Sequence, residues 1–260
     1  MNIGIAALLG LVQGLCEFLP VSSSGHLVLL QTVCGVEGDV LLFDTLLHVG
    51  TLIAVCAVFY KELWAMLKRP FQKKVYLLLV ATFVTSAAAL LFEAQIEALF
   101  GGALLGVGFL LTALILLLSE RMADGKKSIE DMRYLHAAGV GLVQAVAILP
   151  GVSRSGSTIA GSRFFGLDKS AAAEFSFILS IPAILGSCVL QAKDLVTEGT
   201  GGIGAAPILV GMTLAAVSGY FAIRWMLKLI KEKSLIGFAV YVGVLGAAVL
   251  LDQYALHIFF

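Results

Sequence analysis

Two short stretches hold nearly all the chemistry this chain could perform. The first runs Gln13-Gly-Leu-Cys-Glu17-Phe-Leu-Pro20-Val-Ser22-Ser23-Ser24-Gly25-His26 and carries a carboxylate, an imidazole and three hydroxyls. The second runs Gln144-Ala-Val-Ala-Ile-Leu-Pro150-Gly-Val-Ser153-Arg154-Ser155-Gly156-Ser157 and carries a guanidinium among hydroxyls. Both begin with Gly-Leu-Val-Gln, break at Leu-Pro and enter a Ser-x-Ser-Gly turn, so they read as altered copies of one motif. A carboxylate and an imidazole move protons. A guanidinium binds phosphate oxygens with a two-pronged fork and stays charged at any working pH. A Ser-Gly turn that opens a helix offers free N–H groups to an anion. Two such helix ends, brought together, would cradle two phosphoryl groups.

These polar groups lie in a chain that is 60% hydrophobic and only 13% charged, with a mean hydropathy of +1.01. Soluble domains carry about 25% charged residues, and a membrane span needs roughly 20 apolar ones. The expected class is therefore an all-α polytopic membrane protein forming one transmembrane domain over residues 1–260. Zero formal net charge gives no pull toward nucleic acid. Cys16, Cys34, Cys56 and Cys188 are scattered, without CxxC spacing, and read as small buried hydrophobes. The N-terminus lacks the basic region and cleavage site of a signal peptide. No P-loop, GxSxG, HExxH or dinucleotide fingerprint is present.

The elements that must position the two motifs follow from the apolar runs. Asn2 to Leu30 is broken at Pro20 to Gly25, and each half is too short to span. Broken helices at membrane depth are tolerated where they line a cavity within the protein, so this segment reads as a re-entrant hairpin. Spans follow at about Leu41 to Tyr60, Val75 to Phe92 and Gly101 to Ser119. The pattern restarts with a broken segment from Tyr134 to Phe165 and spans at about Ser170 to Gln191, Ala205 to Lys228 and Ser234 to Leu256. Each repeat, 1–120 and 134–260, is one hairpin plus three spans. Three is odd, so the second repeat must lie inverted relative to the first, an arrangement that brings paired broken helices to the midplane. Basic residues support this. With the Lys61 to Lys74 connector in the cytoplasm, all but two of the 17 Lys and Arg fall on that side; Lys193 lies opposite and Arg154 lies within the membrane. Both termini then face outward. The first hairpin enters from outside and the second from the cytoplasm.

Ionisable groups inside a membrane protein usually face a cavity and a partner. Glu17 closes the first half-helix, where the macrodipole opposes a negative charge, so it needs Arg154 or a metal as compensation. Ser22, Ser23 and Ser24, like Ser153, Ser155 and Ser157, include a helix cap and also line the anion site. Arg154 has no structural necessity at its turn beyond a salt bridge to Glu17. His26 suits an acid–base or orienting role. Asp44 and Glu174 occupy matching places at the starts of the first spans and read equally well as helix-start carboxylates. His48 sits one turn after Asp44 and could join a polar cluster.

Gln13-x-x-x-Glu17-Phe-Leu-Pro-Val-Ser-Ser-Ser-Gly-His26 and Pro150-Gly-Val-Ser-Arg154-Ser-Gly-Ser-Thr-Ile159 resemble the two signature motifs of the bacterial undecaprenyl-diphosphate phosphatase family, the one linked to bacitracin resistance. Ala173-Glu174-Phe-Ser-Phe-Ile-Leu-Ser-Ile-Pro182 also resembles a family segment, and the likeness covers essentially the whole chain. It implies hydrolysis of the terminal phosphate of a C55 polyprenyl diphosphate, which recycles the lipid carrier for cell-wall synthesis. It also implies a divalent cation (Mg2+ or Ca2+) and an active site on the periplasmic side of the inner membrane. The family's first motif admits Glu or Gln at the place of Gln13, so here only Glu17 brings a carboxylate. The expected catalytic set is Glu17, Ser23, His26 and Arg154, with Glu17 also bridging the metal to phosphate. Gln13, Ser22, Ser24, Gly25, Ser153, Ser155, Gly156 and Ser157 are expected around the substrate. Either Ser23 attacks phosphorus or a positioned water does. The expected partners are the polyprenyl diphosphate and membrane lipids. Close glycine pairs such as Gly102 and Gly106 permit tight helix packing within one chain or in a homodimer. A lipid flippase or secondary transporter with the same inverted repeats is the competing reading; one Glu and one Arg are too few for a channel's selectivity ring.

Overall fold

The computed structural model describes residues 1–36, 40–92, 104–198 and 203–260, with the side chains of Leu41 and of 190–198 left aside. Three sequence expectations lie outside it: the acidic connector at Glu37 and Asp39, the turn 93–100 with Gly101 and Gly102, and the Lys193 side chain. Among the described residues the chain is helical, with one isolated bridge between Lys127 and Leu167. In chain order the helices are α1 (Ile3–Phe18), α2 (Ser23–Val33), α3 (Leu41–Val58), α4 (Tyr60–Lys68), α5 (Lys73–Leu91), α6 (Leu105–Arg121), α7 (Tyr134–Val146), α8 (Arg154–Phe164), α9 (Lys169–Glu198), α10 (Ala205–Glu232) and α11 (Ile236–Leu251).

Both breaks fall where the motifs place them. Pro20 cannot continue α1, because its ring blocks the helical bond, and α1 ends at Phe18. The Ser22 hydroxyl accepts from the Gly25 amide and caps α2; the Ser153 hydroxyl accepts from the Gly156 amide and caps α8. Among the described residues four helices are long and apolar enough to cross a membrane, or five if α3 and α4 are one span bent by 76°. Large apolar side chains such as Phe83, Leu142, Val189 and Phe221 point outward, a surface suited to lipid rather than water. The chain is a multi-pass membrane protein. Helix α4 occupies the basic connector and was not visible as a helix in the sequence.

Lipid tails are as apolar as leucine, so small residues and interhelical hydrogen bonds must hold such helices together. Helix α1 meets α10 on that principle. A Cβ on Gly14 would collide with the Ser218 hydroxyl and the Ala215 carbonyl, and one on Gly10 with the Gly211 backbone. The Ser218 hydroxyl donates across the gap to the Leu11 carbonyl (3.1 Å). Helix α1 thus lies along α10, α7 lies along α5, α6 pairs with α11, and α3 pairs with both α9 and α10. Phe18 at the end of α1 stacks edge-on against Phe177 of α9, fixing the break inside a fully buried aromatic cluster.

Candidate active site

The ends of α1, α2 and α8 converge on one carboxylate. Glu17 is only 5% exposed, so its charge must be met by protein groups. Arg154 Nη2 donates to its Oε1 at 2.5 Å and Ser23 Oγ donates to its Oε2 at 2.5 Å. Gln13, one helical turn earlier on α1, adds an amide bond from Nε2 to Oε2 at 3.1 Å. Ser23 and Arg154 are the first residues of their half-helices, α2 and α8. One carboxylate therefore tethers the two helix starts to each other.

The turns around these residues are held by dedicated bonds. Ser22 has φ 69°, a left-handed conformation costly for a residue with a side chain. It is held by its own cap bond and by His26, whose Nδ1 lies 2.7 Å from the Ser22 carbonyl. A carbonyl only accepts, so Nδ1 carries the proton, and Nε2 accepts from the Tyr241 hydroxyl at 2.8 Å. Both ring nitrogens of His26 are engaged in this way. The second turn depends on Thr112 of α6. Its hydroxyl donates to the Gly151 carbonyl (2.8 Å) and accepts from the Ser153 amide (2.8 Å). Gly151 has φ +83°, and a Cβ there would also strike the Leu105 carbonyl, so glycine is required. Ser155 Oγ reaches across to the Leu19 carbonyl at the end of α1 (3.0 Å).

The structure brings Gln13, Glu17, Ser23 and Arg154 together directly, with Ser22, Ser24 and Gly25 in the first turn and Ser153, Ser155 and Gly156 in the second. The hydroxyl pairs Ser22–Ser24 (3.4 Å) and Ser153–Ser155 (3.3 Å) repeat each other across the two motifs. Among the described atoms of the two motifs, the donors Arg154 Nη1 and Ser157 Oγ are buried without a protein partner. Glu174 lies elsewhere, paired with Lys74. Asp44 accepts from Gln31 Nε2 at 2.8 Å. His48 is the residue that sequence reasoning underweighted: its Nε2 lies 3.6 Å from Glu17 Oε2. Its spacing one turn after Asp44 was the only signal.

For a divalent cation the centre offers Glu17 and one buried amide oxygen without a partner, Gln13 Oε1. Among the described residues no three His, Cys, Asp or Glu side chains cluster as a complete ligand set. Magnesium keeps several waters and binds through one or two carboxylates plus substrate phosphates. The residues present fit an ion shared with a phosphate ligand.

A multi-pass helical membrane protein whose broken helices present a buried carboxylate, a hydroxyl and a half-free guanidinium is the class that fold and site define. The chain belongs to the Bacitracin resistance protein BacA family, which it matches over residues 6–248. It is 46% identical, over 98% of its length and 99% of the relative's, to a protein of Carboxydothermus hydrogenoformans named undecaprenyl-diphosphatase. It is 43% identical over both full lengths to a protein of that name from Methanobrevibacter smithii. It is 40% identical, again over both full lengths, to undecaprenyl-diphosphatase 4 of Bacillus thuringiensis.

Proposed function

We propose that this protein hydrolyses undecaprenyl diphosphate to undecaprenyl phosphate and inorganic phosphate, recycling the lipid carrier for cell-wall synthesis and thereby conferring bacitracin resistance. The observation that carries this reading is the Glu17 carboxylate held between the Ser23 hydroxyl and the Arg154 guanidinium, with Arg154 Nη1 left over for substrate. The names of the relatives support it. A transporter would need the anion site but has no use for a hydroxyl hydrogen-bonded to a carboxylate.

In the mechanism, the free N–H groups at the starts of α2 and α8, with Arg154 Nη1, bind the diphosphate oxygens. Glu17 takes the Ser23 proton as Oγ attacks the terminal phosphorus. The bond from that phosphorus to the bridging oxygen breaks, and undecaprenyl phosphate leaves with the bridging oxygen. Glu17 gives its proton to the departing undecaprenyl phosphate and then deprotonates a water that attacks the phosphoserine; the bond from phosphorus to Oγ breaks, the proton passes from Glu17 to Ser23 Oγ, and phosphate is released. Arg154 stabilises charge that grows on the equatorial oxygens. His26 keeps the Ser22–Ser24 turn in its strained shape through its bond to the Ser22 carbonyl. Glu17 and Gln13 would hold a divalent cation, which when bound supplies charge neutralisation at the phosphate oxygens.

The same proposal takes the fold as an inverted repeat with its site open to the periplasmic side of the inner membrane. Helix α1 lies along α10, while α7, its counterpart in the second repeat, lies along α5, the counterpart of α10. Such an exchange is what a pseudo-twofold axis between the repeats produces. The one-sided distribution of Lys and Arg supports the orientation. The test is phosphate release from polyprenyl diphosphate by the purified full chain in detergent, with and without EDTA. Release that EDTA abolishes is expected. No release with Mg2+ or Ca2+ present would sink the hydrolase reading.

A further inference from the structure

The connector after α3 spends only part of its charge on the protein. It holds the cations Lys61, Lys68, Arg69, Lys73 and Lys74. Lys74 pairs with Glu174 of α9, and Lys73 donates to the Glu130 carbonyl at 2.5 Å. Lys61, Lys68 and Arg69 meet no carboxylate among the described residues. Lys61 and Lys68 lie on α4 and Arg69 closes it. Helix α4 leaves α3 through a 76° bend, so it runs nearly across α3 rather than onward along it. With its 18 residues α3 is about long enough to span by itself, and α4 then lies along the membrane surface.

One face of α4 carries Leu63 and Met66, which pack against the core. Another carries Tyr60, Trp64 and Leu67 at helical spacing, with Phe71 just beyond the helix end, each more than half exposed. Lys61 and Lys68, each one residue on from this stripe, flank it. Their ammonium groups lie 5.7 Å and 5.3 Å from the centres of the Tyr60 and Trp64 rings. Aromatic rings with cations at their faces belong where hydrocarbon meets headgroups. A second copy docked symmetrically by this face would set its cations against their own images.

We propose that α4 is an interfacial helix that binds anionic phospholipid. The Tyr60, Trp64, Leu67 and Phe71 side chains sit among the upper acyl chains, and Lys61, Lys68 and Arg69 hold the headgroups. A zwitterionic headgroup brings its own cation, so the surface selects lipid of net negative charge. The connector is thereby fixed to the membrane through α4 and to the protein through Lys73 and Lys74. None of this rests on the hydrolase reading.

The chain has two tryptophans, so Trp225→Phe leaves Trp64 as the one indole emitter. The test places that full chain in phosphatidylcholine vesicles containing a minor share of brominated phosphatidylglycerol or of brominated phosphatidylcholine. Bromine quenches a neighbouring indole, so the ratio of quenching gives the lipid preference beside α4. Phosphatidylglycerol should be favoured at least ~5-fold, the worth of one surface cation. The preference should vanish as NaCl is raised from about 0.1 M to about 1 M. Lys61→Gln, Lys68→Gln and Arg69→Gln together should bring the ratio to unity while both lipids still quench Trp64. Melting curves check that this variant folds, and the salt series does not depend on it. Equal quenching by both lipids before substitution overturns the selectivity, and a preference that survives the three substitutions overturns its assignment to these cations. Absence of quenching by either lipid overturns the membrane seat and leaves the face to an acidic protein partner.

Discussion

Arg154 divides its guanidinium between two tasks, and Arg154→Lys separates them. Nη2 neutralises the buried Glu17 carboxylate, and Nη1 is buried with no protein partner. Lysine keeps a positive charge but concentrates it on one nitrogen, without the fixed fork. An ammonium that reaches Glu17 cannot also occupy the place of Nη1. The variant should therefore fold almost normally and lose one charge-assisted contact to the transferring phosphoryl group. Loss of one such donor costs about 2.7–4 kcal/mol, or a fall in kcat of about 10²–10³. Arg154→Met removes both tasks. It strands a buried carboxylate and should lower stability by about 3–5 kcal/mol as well as abolish turnover. The assay pairs phosphate release from polyprenyl diphosphate with thermal unfolding in the same detergent. An Arg154→Lys protein that melts early yet turns over near the wild-type rate would refute the reasoning, because Arg154 would then be only a strut for Glu17.

Ser23→Ala should cut kcat on the order of 10⁴-fold or more while lowering stability by only about 1–3 kcal/mol for the hydrogen bond lost to buried Glu17, and acid quenching of the wild type during turnover should trap phosphate on Ser23. A variant that still releases phosphate near the wild-type rate would leave water as the nucleophile. Thr112→Val removes the donor to the Gly151 carbonyl and the acceptor for the Ser153 amide; about 1–3 kcal/mol should be lost for each stranded group, read by thermal unfolding. Gly14→Ala forces a Cβ into Ser218 and the Ala215 carbonyl, and overpacking of this kind costs about 1–3 kcal/mol. Wild-type melting of that variant would mean that α1 and α10 are not in close contact.

The local parts of this site could be read from the chain. A proline followed by Ser-x-Ser-Gly announces a helix end and a new cap within a few residues, and Ser22 and Ser153 cap α2 and α8 as that chemistry requires. The need for a cation beside Glu17, Arg154 or a metal, was also legible, because a carboxylate at a helix C-terminus inside a membrane protein must be compensated, and the structure pairs it with Arg154. What stayed hidden depends on helix packing. Tyr241 meets His26 across 215 residues of chain, and nothing in an apolar span marks one tyrosine as a partner. Thr112 looks like any threonine in a membrane helix until the turn it braces is in place. His48 reaches Glu17 because α3 is wedged beside α1 and α10, a placement set by the glycine contacts of those helices rather than by any local signal. Helix α4 was hidden in a basic connector whose exposed Tyr60, Trp64 and Leu67 form a stripe too short to announce itself.

The two motifs also show why repeated halves must diverge to make a catalyst. Their serine caps and hydroxyl pairs are alike. The difference lies at the first residue of each half-helix, Ser23 in one copy and Arg154 in the other, a hydroxyl against a cation. Both reach the same carboxylate, one at each oxygen. The position matching Glu17 in the second copy is Ile148, so Gln144, the match of Gln13, has no carboxylate to serve. Its amide bonds Thr85 instead, and Thr85 in turn holds the Gly141 carbonyl. One glutamine has become part of a site and the other part of a helix contact. The asymmetry is therefore what lets a single buried carboxylate be neutralised by one half of the molecule while it accepts a hydrogen bond from the hydroxyl of the other.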